Sequence, residues 1–375
     1  MQNMSDIHLH IVSFNIPYPA NYGGVIDVFY KARALAGQGI KIHLHCFEYG
    51  RKEAPELEKL FFKVHYYKRH LSKKYLFSSR PYIIETRISE QLVENLLHDD
   101  YPIIMEGLHT TGLLSEKSLK NHKRIVRTHN IEHEYYNQLS RVETALFKKY
   151  YFYHEANKLK KYENILEKAD LLLTISSSDY AYFSAKYKHV AYIPAFHPFS
   201  AVESLTGKGK YVLYHGNLSV PENIHAVTTL LKKVFNGTKI PFKIAGLDPP
   251  ASLQRLIKAH PYATLIPNPD DSSLHHLIAN AQVNIFFTRQ ATGLKLKLLN
   301  ALYNGRFVLT NDKMHAGTHL DKLCVLANDM DEMKNLLTGL LDREFTPAMK
   351  AERQMLLQTV YKNRDNVKRL IDLIF

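Results

Sequence analysis

Ile7-His-Leu-His-Ile-Val-Ser-Phe14 and Ile40-Lys-Ile-His-Leu-His-Cys-Phe47 flank residues 23–38, and these three pieces decide the fold. The first and last are apolar runs of strand length. Between them Val25, Val28, Phe29, Ala32 and Leu35 recur at helical spacing, and Gly39 ends the helix. Strand, helix, strand is the βαβ signature of a parallel sheet. Residues 103–106, 124–128 and 171–175 continue the strand series. A second series starts at 211–215 and continues through 242–245, 264–266, 283–287, 307–310 and 324–327. Ile193-Pro-Ala-Phe-His-Pro198, followed by Ser, Gly and Lys to Lys210, punctuates the two as a linker.

The expected fold class is therefore α/β, with two Rossmann-like domains facing across a cleft. Residues 1–195 form the first domain and 196–360 the second, and the helical end, 361–375, crosses back to the first. At about 150 residues per domain, a chain of 375 residues suits two. In open α/β sheets ligands sit beyond the carboxyl ends of the strands, so the chemistry is expected on the loops that follow them.

Composition narrows the function classes. Only Cys46 and Cys324 are present, which excludes a disulfide scaffold and a cysteine-based zinc site and fits a reducing, cytoplasmic setting. No apolar run approaches the ~20 residues that span a bilayer. The net charge of +13 points to an anionic partner, though solubility alone accounts for it equally well. Nucleic acid is not the expected partner, because no aromatic RNA motif, zinc spacing or helix-turn-helix layout accompanies the charge.

The stretch richest in chemistry is Arg289-Gln-Ala-Thr-Gly-Leu-Lys-Leu-Lys-Leu-Leu-Asn-Ala-Leu-Tyr-Asn-Gly305. It follows a strand, Gly293 opens a helix, and Lys297 and Asn300 lie within one turn of each other. A helix N-terminus offers free amides and the positive end of a dipole, which suits phosphate, and Arg289 and Lys297 add cations. Lys295 points about 160° away from Lys297 on an ideal helix, so one of the two faces a ligand. Taken alone, the stretch is equally an ordinary amphipathic helix with solvated lysines.

Thr292 to Thr310 resembles the nucleotide-sugar motif of family 4-like glycosyltransferases with the GT-B fold. Tyr214-His-Gly-Asn-Leu-Ser-Val-Pro-Glu-Asn-Ile-His-Ala226 resembles that family's other second-domain loop. Ile16-Pro-Tyr-Pro-Ala-Asn-Tyr-Gly-Gly24 resembles its first-domain loop after the first strand, and Arg127-Thr-His-Asn-Ile-Glu132 a histidine-containing loop. The likeness runs in order along nearly the whole chain. It implies transfer of a sugar from a nucleotide diphosphate-sugar donor to a glycan or lipid-linked acceptor, with retention of configuration and without a metal or other cofactor. Arg289, Lys297 and the helix opened by Gly293 would hold the diphosphate, and His129 would contact the transferred sugar or act as a proton acceptor. Gly23, Gly24, Gly216, Asn217, Asn223, Gly246, Gly293 and Asn300 would line the donor, with Asn268 near the base. Glu106, His109, Asn130 and Glu132 share the cleft.

Two departures stand out. Asn300 occupies the place of the acidic residue that binds the ribose hydroxyls, and Thr292 that of an earlier glutamate. A neutral acceptor in place of a carboxylate costs roughly 1 kcal/mol. The alternative reading is therefore a non-catalytic nucleotide-sugar-binding protein on the same fold. Asp329-Met-Asp331 has the spacing of a metal-binding acidic pair and reads instead as a helix cap, as Asp99-Asp100 and Asp270-Asp271 read as turns.

Two basic, aromatic stretches remain, 59–80 and 148–161. They suit either solvated helix faces over buried rings or peripheral docking on the anionic inner face of a membrane.

Overall fold

The computed structural model describes residues 7–143, 145–289 and 296–375. Seven strands build the first sheet: β1 (His8–Ser13), β2 (Lys41–Glu48), β3 (Lys63–Lys68), β4 (Ile103–Glu106), β5 (Arg124–Thr128), β6 (Leu171–Thr174) and β7 (Val190–Tyr192). Their order is β3-β2-β1-β4-β5-β6-β7 and every pairing is parallel. Six strands build the second: β8 (Val212–His215), β9 (Phe242–Gly246), β10 (Ala263–Pro267), β11 (Val283–Ile285), β12 (Phe307–Thr310) and β13 (Val325–Leu326). They run β10-β9-β8-β11-β12-β13, again all parallel. Parallel strands are covered on both faces, so β4, β6, β8 and β12 are buried at every residue.

Strand order reverses between β1 and β4 in the first sheet and between β8 and β11 in the second. These switch points leave crevices beyond the carboxyl ends of the strands. The loops that open there follow Ser13, Glu106, His215 and Ile285.

Two strands lie outside the sequence expectation. β3 takes Lys63–Lys68 from the middle of the basic, aromatic stretch and buries Tyr67 at the sheet edge; β7 is short and half-buried. In both, charged or half-exposed residues mask the apolar run, as edge strands do.

The chain crosses between domains twice. Phe196 packs in the first core. The helix Pro347–Tyr361 lies on the second core, through Leu357 and Tyr361. After Lys362 the helix Asn363–Ile374 returns to the first, burying Val367, Leu370 and Ile374. Lys123 Nζ caps that return, donating to the carbonyls of Leu373 at 3.0 Å and Ile374 at 2.9 Å.

The alternating histidines of β1 and β2 share one sheet face, in register with β3: His10 pairs with His43, and His45 with His65. His8 Nδ1 lies 2.7 Å from His43 Nε2, and His10 Nδ1 2.9 Å from His45 Nε2. His10 Nε2 also meets Asp99 at 2.9 Å, and His45 Nδ1 meets the Tyr67 hydroxyl at 2.7 Å. Burial lowers the pKa of His10 despite Asp99. Burial and neighbouring imidazoles lower His45 and His65, and take His43 down to about 4. The unfolded chain therefore binds more protons between about pH 4 and 6.5. Stability contributed by these groups is full above pH 6.5 and is lost as the pH falls, at up to about 1.4 kcal/mol per pH unit for each histidine. Melting temperature should drop steeply from pH 7 to 4.5, and a His43→Gln/His65→Gln variant should show a shallower drop. The slope persists in part, because buried His197 and His215 are held at about 4 and about 3.

Candidate functional site

The helix Gly23–Ala36 lays an apolar stripe on the first sheet, and Asp27 and Lys31 lie within that buried face, one turn apart. β5 carries Arg127 inside its apolar run, and β4 ends on Glu106. All four side chains are essentially sealed from water. Isolated buried charges are prohibitive, so each must find a partner. Arg127 grips Asp27 through two bonds, Nε to Oδ2 at 3.0 Å and Nη2 to Oδ1 at 2.9 Å. Lys31 Nζ reaches Asp27 at 3.4 Å and makes a shorter ion pair with Glu106 Oε1. Glu106 Oε2 takes His129 Nε2 at 2.9 Å.

Burial by itself would raise the carboxyl of Asp27; the charges of Arg127 and Lys31 outweigh it and hold it well below the usual carboxylate range. Glu106 is lowered for the same reason, by Lys31 and then by the His129 bond. One ligand atom each from Asp27, Glu106 and His129 lie within 4.8 Å of one another, a spacing that a divalent ion could use. Lys31 and Arg127 already neutralise the same carboxylates, so the donor set holds no charge deficit for a cation to fill.

His129 follows β5 and is 7% exposed. Phe14 stacks edge-on against its ring, and His109 packs on Phe14. Glu132 opens the next helix as a buried carboxyl that burial pushes up to about 7. Arg51 pins the loop before Gly23, donating to the carbonyls of Ile16 at 3.2 Å and Pro19 at 2.6 Å.

In the second domain, Tyr214 on β8, Asn223 on the helix Pro221–Thr229 and Lys297 on the helix Leu296–Asn304 meet. Lys297 Nζ donates to Asn223 Oδ1 at 2.9 Å and to the Tyr214 hydroxyl at 3.2 Å. Asn223 Nδ2 donates to the carbonyl of Asn217 at 2.7 Å, fixing the loop after β8. Lys297 also weighs on His215, whose pKa burial lowers first. Asn300 has its side-chain oxygen engaged by Asn304 Nδ2 at 2.7 Å. Asn311 holds the backbone of Thr288 on both sides, at 3.2 and 2.8 Å, just before Arg289.

A cavity of about 600 Å³ lies between the domains. Gln138 and Arg141 reach it from the first domain, and Arg289, Asn311, Asp312 and Lys313 from the second. Three cations and one carboxylate give its lining an excess of positive charge. Arg289 lines it; His129 and Lys297 are not among its lining residues.

The glycines divide by geometry. A Cβ on Gly23 would meet nothing within 4 Å, so that backbone is open to a ligand. On Gly24 it would lie 2.6 Å from the Phe14 ring, and on Gly246 only 1.9 Å from the Gly216 carbonyl. Those two are glycine because protein packs against them. A Cβ on Gly216 would meet Asn223 at 3.4 Å, and Asn268 turns with φ 49° and accepts from the Asp248 amide at 2.8 Å. Gly293, Thr292 and Lys295 lie outside the described residues. Asp329 and Asp270 cap their helices through Glu332 N–H and Ser273 N–H, and Asp99 bonds Tyr101 N–H and His10. Sequence reasoning missed Asp27, Lys31 and Arg127; the available signal was a charge at a position that the apolar periodicity buries.

No protein-family model matches the chain. An uncharacterised 44.6 kDa protein in the cps region of Klebsiella pneumoniae is 27% identical over 339 residues, 85% of this chain and 87% of that protein. Among solved structures, sucrose-phosphate synthase from Thermosynechococcus elongatus matches with a TM-score of 0.71 at 15% identity, covering 98% of each chain. TarM matches at 0.70 and 11%, covering 98% of this chain and 99% of its own. Anabaena HepE, solved with UDP and glucose, matches at 0.67 and 11%, covering 98% of each. The architecture is the GT-B fold along the whole chain.

The glycine geometry sets a paired expectation. Gly246→Ala forces backbone apart and should cost about 1–3 kcal/mol in urea unfolding, while Gly23→Ala should unfold as the parent does. Equal stability of the two variants would contradict the assignment.

Proposed function

We propose that this GT-B chain is a glycosyltransferase that moves a sugar from a nucleotide diphosphate-sugar to a glycan or lipid-linked acceptor. The observation that carries the reading is the interdomain cavity: Arg141, Arg289 and Lys313 converge on it from both domains, beyond the carboxyl ends of two parallel sheets. A departing diphosphate gains negative charge as the bond to the sugar breaks. Fixed cations aimed there stabilise that charge without a metal. Lys297, oriented by Asn223 and Tyr214, is a further cation for the same group. The resemblance to family 4-like enzymes and the cps-region relative support a role in polysaccharide biosynthesis.

The retaining course is what the resemblance to family 4-like enzymes implies. Asp27 and Glu106 are spent on Lys31, Arg127 and His129, so neither is offered as a nucleophile. In the retaining step the bond from the anomeric carbon to the diphosphate breaks, and the acceptor oxygen bonds the same face. The acceptor proton passes to the departing diphosphate oxygen. The second reading, a non-catalytic binder, draws on Asn300, whose oxygen accepts from Asn304 and offers no carboxylate to a ribose.

The membrane reading has a specific surface. On the helix Leu146–Tyr162, Leu146 is 83% and Phe147 78% exposed, with Tyr150 and Tyr153 along the same side. The same helix carries Lys148, Lys149, Lys160 and Lys161. Phe77, 90% exposed, lies on the neighbouring segment, which Lys158 ties to the helix through the Leu76 carbonyl at 2.8 Å. No helix among the described residues is long and apolar enough to cross a membrane. Exposed apolar tips on a lysine-bearing helix suit shallow seating on anionic lipid, at about 1 kcal/mol per lysine.

Purified protein should release nucleoside diphosphate from one of the uridine, guanosine or adenosine diphosphate-sugars in the presence of acceptor. Arg289→Ala and Lys297→Ala should each lower kcat about 10²–10³-fold. Donor binding without turnover would select the second reading; neither binding nor turnover would end both. Separately, the protein should sediment with phosphatidylglycerol vesicles at low salt, and a Leu146→Asp/Phe147→Asp variant should stay in the supernatant. Equal sedimentation of the two would remove the membrane surface.

A further inference from the structure

The buried charges beneath the His129 loop form one connected chain from the interdomain crossover to the imidazole. At one end Arg127 donates to the carbonyls of Ile193 at 2.7 Å, Pro194 at 3.2 Å and Thr174 at 3.3 Å. Asp27 Oδ1 accepts the Phe196 N–H at 2.8 Å. From there the links run Arg127, Asp27, Lys31, Glu106, His129, with signs alternating. One carboxylate oxygen of Glu106 answers Lys31 and the other answers His129.

A carboxylate so deeply buried needs one cation to be tolerated, and Lys31 is that cation. The second oxygen is directed to an imidazole on the loop that leaves the sheet at its carboxyl end. That bond selects a tautomer, because a carboxylate accepts and Nε2 must therefore carry the proton. Nδ1 then holds the lone pair and has no bond among the described residues.

Resting on the glycosyl-transfer reading, we propose that Glu106 is a positioning residue for His129: its carboxylate holds Nε2–H and leaves Nδ1 as the acceptor for a hydroxyl of the bound sugar. Lys31 keeps Glu106 anionic, and Asp27, clamped by Arg127, keeps Lys31 in place. The same clamp ties the crossover 193–196 to this chain, so the imidazole is referenced to the joint between the domains and not to its own loop alone.

The test uses the full chain and two readings. In the first, carbon-13 histidine labelling follows the titration of His129, its signal identified by its loss in His129→Gln. Glu106→Gln should move the midpoint down by at least one pH unit, because the imidazolium loses its anionic neighbour while Lys31 remains. Glu106→Asp should recover part of the shift. In the second, Glu106→Gln should lower kcat at least tenfold with the donor KM within threefold, and should move the acid limb of the kcat profile to lower pH. An unmoved His129 midpoint, or a kcat loss equal at every pH, overturns the proposal. Should Glu106→Gln fail to fold, Glu106→Asp is read the same way, and an unshifted midpoint there overturns it. A parent protein that turns over no donor would defeat the glycosyl-transfer reading alone, since the titration judges the positioning without activity.

Discussion

The bidentate pair between Arg127 and Asp27 is the constraint on which the first domain's site depends. Both side chains are sealed inside the sheet–helix interface. Losing one partner of such a pair costs about 3–5 kcal/mol, because the other is left charged in a low dielectric. The pair joins the helix Gly23–Ala36 to β5 and reaches the crossover at 193–196. Glu106 can bear its own burial only because Lys31, on that same helix, is held beside it. The position of His129 is thus a consequence of charge balance several residues away.

The second domain solves a similar problem more lightly. Lys297 is half-buried and shares Asn223 and Tyr214, which direct its ammonium group. Asn223 also bonds the loop after β8, and Gly246 lets that loop lie flat against β9. The first domain thus holds a sealed, charge-balanced network, and cations from both domains line the cavity between them.

Much of the fold is legible in the sequence because its signals are local. The apolar runs at β1 and β2, the helical spacing from Val25 to Leu35 and the Pro and Gly punctuation after Ile193 each need only neighbouring residues to be read. β3 escaped because Lys63, Lys68 and the half-exposed Tyr66 break its apolar character at a sheet edge. Among the candidate residues, Arg289, Lys297 and Asn223 are marked by following strands or opening helices. Gly24 and Gly246 share that marking, yet they are glycine for packing, a distinction that spacing cannot make.

The sequence by itself determined the parallel two-domain architecture, since periodicity and punctuation encode strand, helix and turn. Only the tertiary structure decided which charges meet. Asp27 and Arg127 stand a hundred positions apart, and Lys31 and Glu106 seventy-five. A charge on a buried face reads as an anomaly until folding delivers its partner. The energy that makes it tolerable is Coulombic and acts through space, so no local pattern along the chain records it.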